Sequence, residues 1–126
     1  MKVSFDFDDT LQSSLEPDRN FPMNNWHGAI NRNIEELVHF HANRGDEVII
    51  VSTRYDIEEN KQEIEEFIKI HKLPIKDIFL TNFKWKRNTL KRLKVDMHFD
   101  DNLDELKRLK HTSVKGIHVK DQKYDC

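Results

Sequence analysis

Glycine is scarce in this sequence, with three residues among 126. That is too few for the glycine-rich loops that cradle phosphates, and neither a Walker-type nor a dinucleotide fingerprint occurs. If the chain binds phosphate, something else must hold it. Cysteine is scarcer still: the one cysteine, Cys126, rules out an internal disulfide framework, and a reducing, cytoplasmic setting is the expectation. No apolar run approaches the ~18 residues of a membrane span. The sequence opens as a strand rather than as a charged stub leading an apolar leader. Charge of one sign is not in excess either. Charged residues make up 35% of the chain, yet the formal net charge is −2, which argues against a protein that coats nucleic acid or carries a strongly anionic tail. The seven histidines are scattered without metal-ligand spacing. No repeat, linker or low-complexity tract divides the chain, so residues 1–126 read as one domain long enough to bury a core.

What is present is concentrated in residues 3 to 11, Val3-Ser4-Phe5-Asp6-Phe7-Asp8-Asp9-Thr10-Leu11. An alternating apolar run ends in carboxylates set two residues apart, followed by a hydroxyl two further on. Strand side chains alternate faces, so Asp6 and Asp8 point the same way if the extended geometry persists. Two like charges so close repel, and a divalent cation or a shared proton relieves the cost. The alternative is an acidic turn after an edge strand.

The rest of the chain alternates strands with amphipathic helices. A polar stretch from Gln12 to Asn25, with Pro17 and Pro22, reads as a loop or a short hairpin. Ile30, Ile34, Leu37, Val38 and His41 recur at helical spacing, with Gly45 as a C-cap. Glu47 to Val51 reads as a buried strand closed by Ser52-Thr53-Arg54. A second helix, about Ile57 to His71, ends before Pro74. Ile78-Phe79-Leu80 is a third strand, Lys86 to Leu93 a basic helix, and Met97-His98-Phe99 a strand ending in Asp100-Asp101. Leu103, Leu106 and Leu109 stripe one more helix, and Val114 to Val119 supply a last strand. Such alternation predicts an α/β, three-layer Rossmann-like fold with a mainly parallel sheet of about five strands.

In a parallel sheet all strand carboxyl ends share one edge. Unusual chemistry stands at three of them: Asp6, Asp8 and Thr10; Ser52, Thr53 and Arg54; Asp100 and Asp101. Lys84 and Lys86 begin the helix before the last of these strands. The set offers carboxylates for Mg²⁺, with hydroxyls and cations for phosphate oxygens. Magnesium takes oxygen ligands from few protein carboxylates, whereas zinc wants Cys or His. An EF-hand fails, because its required Gly and Glu would fall on Leu11 and Pro17.

The motifs "FDFDDTL" and "HFDDN", with a Ser or Thr ending the second strand and a Lys between, resemble those of the haloacid dehalogenase-like hydrolases. The resemblance spans Val3 to about Val119. It implies a Rossmann-like fold and an aspartyl-phosphate mechanism: Asp6 as nucleophile, Asp8 as acid and then base, and Mg²⁺ between Asp6, the backbone carbonyl of Asp8 and Asp100. It also implies Ser52 on the phosphoryl oxygens and Asp101 orienting the lysine or a metal-bound water. Lys86 best matches the family's lysine, with Lys84 as the alternative. Thr53 competes with Ser52, since alternation turns only one hydroxyl to the site; a Ser-Gly-Arg version of the motif favours Ser52. The acid at Asp8 separates phosphatases from relatives with halide, phosphonate or pumping chemistry. The short spacings between motifs leave no room for a cap domain, so the site reads as open, for a large phosphorylated partner or for cover by a second subunit. Ser-x-Arg and the "DD" ending look most like the polynucleotide-end phosphatase group, which points to a nucleotide or nucleic-acid end as substrate.

Other features have two readings. Arg54 either holds phosphate or pairs with Asp56 or Glu58. Trp26 and His27 precede the first helix, where Trp26 either stacks on a base or staples the helix. His98 reads as a packed, hydrogen-bonded residue. Lys84-Trp85-Lys86-Arg87 with Lys91, Arg92 and Lys94, interleaved with Phe83, is either a nucleic-acid track or a solvated helix face. The competing class for the whole protein is a binding module without turnover, whose function basic-patch substitutions would abolish and Asp6→Asn would not.

Overall fold

The structure is a computed structural model and describes residues 1–17 and 28–119. Trp26, His27 and Cys126 lie outside the described residues. Among the described residues, seven strands and four helices follow in the order β1 (Lys2–Phe5), β2 (Gln12–Pro17), β3 (Gly28–Ile30), α1 (Arg32–Asn43), β4 (Glu47–Ser52), α2 (Glu58–Ile70), β5 (Asp77–Leu80), α3 (Arg87–Arg92), β6 (Met97–Asp100), α4 (Leu103–Lys107) and β7 (Lys115–His118). Five strands form one parallel sheet in the order β5-β4-β1-β6-β7. This is the α/β three-layer arrangement expected from the alternation of elements.

Strand periodicity decides the layers. Val48 and Ile50 of β4 pack with Val3 and Phe5 of β1, Phe99 of β6, Ile34 and Val38 of α1, and Ile64 and Phe67 of α2. The intervening Ile49 and Val51 face the other way and pack with Leu90, Val95, Leu109 and Val114. Thus α1 and α2 cover one face, and the α3–α4 region the other. Burying each such side chain stabilises the fold by about 1.5–3 kcal/mol, and Phe5 and Phe99 stack across β1 and β6 at 4.7 Å.

Local signals set the ends of the elements. Asn31 caps α1, its side chain accepting from the backbone of Asn33 and Ile34. The helix closes in a Schellman turn. Gly45, at φ 93°, donates to the Ala42 carbonyl, and Asp46 donates to that of His41. Ile30, expected on α1, belongs instead to β3, which pairs antiparallel with β2. A Cβ at Gly28 would overlap the Ser13 carbonyl oxygen, so the hairpin closes there on a glycine. The leucine stripe of α4 is only partly realised. Leu109 is buried but Leu103 is half exposed, because the helix is five residues long and turns Glu105 inward.

The strand order creates one crevice. From β1 the chain builds outward through β4 and β5, then returns to the opposite side of β1 for β6 and β7. Ligands of open α/β sheets bind at such a reversal, outside the strand carboxyl ends.

Candidate active site

The same alternation aims the acidic side chains. On β1, Val3 and Phe5 face α1 and α2, so Ser4 and then Asp6 turn toward α3 and α4. On β6, Phe99 takes the first face and leaves His98 and Asp100 on the second. The Asp6 backbone N–H donates to the Phe99 carbonyl at 2.9 Å, which carries the β1–β6 ladder one residue past the strand. Asp6 and Asp100 therefore arrive side by side although 94 residues apart in sequence.

Lys86 stands between them. It occupies the N-cap position of α3, is 2% exposed, and donates from Nζ to Asp6 Oδ1 at 2.8 Å and to Asp100 Oδ2 at 2.7 Å. Its backbone N–H donates to Glu105 Oε1 at 3.0 Å, which pins the start of α3 against α4. Lys84 is exposed and does not line the cleft, so of the two candidate lysines only Lys86 enters the site.

Asp100 is held from below. His98 Nε2 lies 2.8 Å from Asp100 Oδ2, and His98 Nδ1 lies 2.6 Å from Ser4 Oγ. Because an ionised carboxylate only accepts, Nε2 carries the proton. Burial lowers the His98 pKa, and the neutral ring accepts the Ser4 hydroxyl at Nδ1. The backbone N–H of Asn102 donates to Asp100 Oδ1 at 3.0 Å. Burial opposes ionisation of Asp100, but the His98 hydrogen bond and the Lys86 charge outweigh it and hold its pKa well below the usual carboxylate range. Burial acts in the same direction at Asp6, but there it prevails over Lys86 and, with the neighbouring Asp100, holds the pKa well above the ordinary value. The Lys86 ammonium is itself disfavoured by burial, yet Asp6 and Asp100 more than compensate and raise its pKa.

Asp6, Lys86 and Asp100 line a cleft of about 160 Å³ together with Asp8, Thr53 and Asp101. Thr10 Oγ1 lies 3.2 Å from Asp6 Oδ2 and 3.4 Å from Asp101 Oδ1, so its one proton serves either carboxylate. Asp8 lines the cleft with both oxygens engaged: Arg54 Nε and an Arg54 terminal nitrogen donate to them, each at 2.8 Å. Arg54 also meets Glu63 at 3.1 Å, so its partners are Asp8 and Glu63 rather than Asp56 or Glu58. Of the two adjacent hydroxyls, Thr53 lines the cleft. Ser52 is buried and its Oγ accepts the Arg54 backbone N–H at 3.2 Å, so the placement favours Thr53 over the expected Ser52.

One oxygen each from Asp6, Asp100 and Asp101 lies within 4.8 Å of the others; the Asp8 carboxylate, bound to Arg54, stands outside this group. Among the described residues lining the cleft the one ammonium is Lys86, which binds Asp6 and Asp100, and the candidate ligands are all hard oxygens. Surplus negative charge and oxygen-only ligands fit Mg²⁺ in kind.

No family model and no curated protein matches this sequence. Solved structures do. A chain of a "Pnkp1/Rnl/Hen1 complex" superposes with a TM-score of 0.72 at 14% identity, covering 98% of this chain and 47% of its own. A chain of "the Pnkp1/Rnl/Hen1 RNA repair complex" gives 0.68 at 15% identity, covering 94% of this chain and 42% of its own. The likeness is one of fold. This sequence spans less than half the length of either matched chain.

Glu105 and Asn102 both line the cleft and were not singled out in the sequence. Asn102 carries a readable signal, an Asx residue after a strand and before a helix, and it caps α4 by accepting from Asp104 and Glu105. Glu105 carries none, since a glutamate in a polar helix ordinarily faces water.

The opposed shifts at Asp6 and Asp100 predict the shape of the acid limb. Asp100, with a depressed folded pKa, contributes stability that is present above its unfolded pKa of about 3.9 and is lost as pH falls through the lower folded value. Asp6 has the opposite sign and costs stability as pH rises above its unfolded value. Thermal unfolding followed from pH 7 downward, without added metal, is expected to show Asp100→Asn already destabilised at neutral pH and less sensitive to acid than the wild type. Parallel curves for the two proteins would contradict this assignment.

Proposed function

We propose that the protein is a Mg²⁺-dependent phosphomonoester hydrolase that works through an aspartyl-phosphate on Asp6, with a nucleotide or nucleic-acid end as substrate. The observation that carries the reading is the convergence of Asp6, Asp100 and Asp101 in a single cleft at the topological reversal of the sheet, with Lys86 bound to the first two. The resemblance of the "FDFDDTL" and "HFDDN" motifs to haloacid dehalogenase-like hydrolases supports it, as does the fold shared with chains of an RNA repair complex.

Mg²⁺, held by Asp6, Asp100 and Asp101, would neutralise the repulsion between a carboxylate and a phosphate dianion. Lys86 adds fixed positive charge beside Asp6 Oδ1. Asp6 attacks phosphorus, the ester oxygen leaves as an alcohol, and water then cleaves the acyl phosphate. Asp8 supplies the leaving-group proton and afterwards takes one from that water. Its two oxygens are occupied by Arg54, so the arriving phosphate competes for the same guanidinium; as Arg54 turns to the substrate, Asp8 is freed for proton transfer. Thr53 and Thr10 donate to the phosphoryl oxygens and to Asp6.

The test is phosphate release from p-nitrophenyl phosphate, nucleoside monophosphates and 3′- or 5′-phosphorylated oligonucleotides. Turnover is expected with Mg²⁺ and none with EDTA. Mg²⁺ is also expected to raise the unfolding temperature, by about 2.7 kcal/mol of stabilisation at a hundredfold excess over Kd. Absence of both turnover and thermal shift would overturn the reading. A shift without turnover would favour the binding-module class.

A further inference from the structure

We infer that the rim of the cleft is a platform for single-stranded nucleic acid, with the bases next to the terminal phosphate stacking on Tyr55 and Phe83. The inference deepens the proposed function and rests on it for the placement of that phosphate.

Three large aromatic side chains lie exposed near the cleft: Tyr55 at 56%, Phe83 at 66% and Trp85 at 48%. The Tyr55 and Phe83 rings meet at 4.5 Å and 60°, forming one continuous apolar surface. The pair is anchored to the cleft by backbone. Phe83 N–H donates to the Thr53 carbonyl at 2.7 Å, and Asn82 N–H to that of Arg54 at 3.1 Å. Thr53 lines the cleft and Arg54 grips Asp8, so the aromatic pair is adjacent to where phosphate is expected. Asn82 and Phe83 both adopt the left-handed region, at φ 57° and 61°, a strained conformation for residues with side chains. The exposed phenyl ring does nothing for the core, so packing does not explain why this strained loop should present it.

The same loop carries cations on its other flank. Two residues on, Trp85 lies under the Arg108 guanidinium at 3.5 Å. Together they line a second cleft of about 410 Å³, whose other lining residues include Arg87, Lys107, Lys110 and His111 and no carboxylate. Lys86, between Trp85 and Arg87, points into the first cleft. One segment thus joins the reactive centre, an aromatic surface and a basic groove. Aromatic faces that take any base, beside cations that track phosphates, are what binding of single strands requires. A duplex would keep its bases stacked internally and leave the Tyr55–Phe83 surface uncovered.

The experiment is fluorescence anisotropy with a labelled, 3′-phosphorylated single strand of about eight nucleotides, a length within the usual range for such sites. The proteins compared are the wild type, Tyr55→Ala, Phe83→Ala and the double variant Lys107→Glu/Lys110→Glu. Each aromatic substitution is expected to weaken binding about tenfold, with Phe83→Tyr restoring it. The charge reversal is expected to flatten the dependence of log Kd on log salt by about 1–2. Turnover of p-nitrophenyl phosphate should be unchanged in all of them. Unaltered affinity in both aromatic variants, a wild type that binds no single strand, or tighter duplex binding indifferent to these residues would overturn the platform. Failure of the phosphatase reading would look different: no turnover of any ester, with the losses of oligonucleotide affinity still present.

Discussion

Asp6→Asn is expected to reduce phosphate release by at least about 10⁴-fold, the scale on which removal of a covalent nucleophile is felt. The amide is the same shape as the carboxylate and keeps partners for Thr10 and Lys86, but it has no charge with which to attack phosphorus. A second consequence separates this substitution from simple damage. Burial and the adjacent Asp100 already disfavour the ionised form of Asp6, so without metal the neutral asparagine is expected to leave the unfolding temperature unchanged or higher. Steady-state kinetics and thermal denaturation of one preparation check both halves. Intact-mass analysis of wild type quenched during turnover should show phosphate on the protein, and Asp6→Asn should show none. A variant that keeps more than about 1% of wild-type activity would remove Asp6 from the nucleophile's role.

Lys86→Met is expected to do the reverse to stability. Methionine fills the volume of the aliphatic stem but leaves the carboxylates of Asp6 and Asp100, each within 2.8 Å of Nζ in the wild type, facing one another without a counter-charge. Breaking a buried pair by removing one partner costs about 3–5 kcal/mol, a large share of the ~5–15 kcal/mol that holds a domain together. A fall of roughly 10–20 °C in unfolding temperature follows for a chain of this size, together with loss of turnover. Adding Asp6→Asn to Lys86→Met should recover part of that stability, since one of the opposed charges is then gone. Lys84→Met, on an exposed side chain, should stay within about 0.5 kcal/mol of wild type. If Lys86→Met were as stable as Lys84→Met, the central lysine would not be the counter-charge the geometry makes it.

The two substitutions differ in sign because the site is over-supplied with negative charge. Asp8 is matched by Arg54, and Lys86 is shared by Asp6 and Asp100 while Asp101 stands close by. Removing the Asp6 carboxylate, whose ionised form the site disfavours, eases that imbalance; removing the ammonium worsens it. The same surplus is the physical reason to expect a divalent cation.

Strand and helix identities were legible in the sequence because they depend on local periodicity. Alternation in Val3 to Phe5, the continuous apolar run Val48 to Val51, the helical spacing of Ile34 and Val38, and the glycine after Asn43 and Arg44 specify their elements with no distant contact. The expectation that Asp6, Asp100 and a lysine share one sheet edge needed only the parallel arrangement that such alternation implies. Tertiary structure alone decided which of these residues touch. Placing β6 directly beside β1 puts Asp100 against Asp6, the α3 start turns Lys86 inward and leaves Lys84 in water, and the loop after β4 brings Arg54 to Asp8 across 46 residues. Glu105 became part of the site only because α4 packs over the start of α3. Periodicity tells each side chain which face it takes, whereas pairings between distant segments follow from strand order and helix packing, and no short window of sequence contains those.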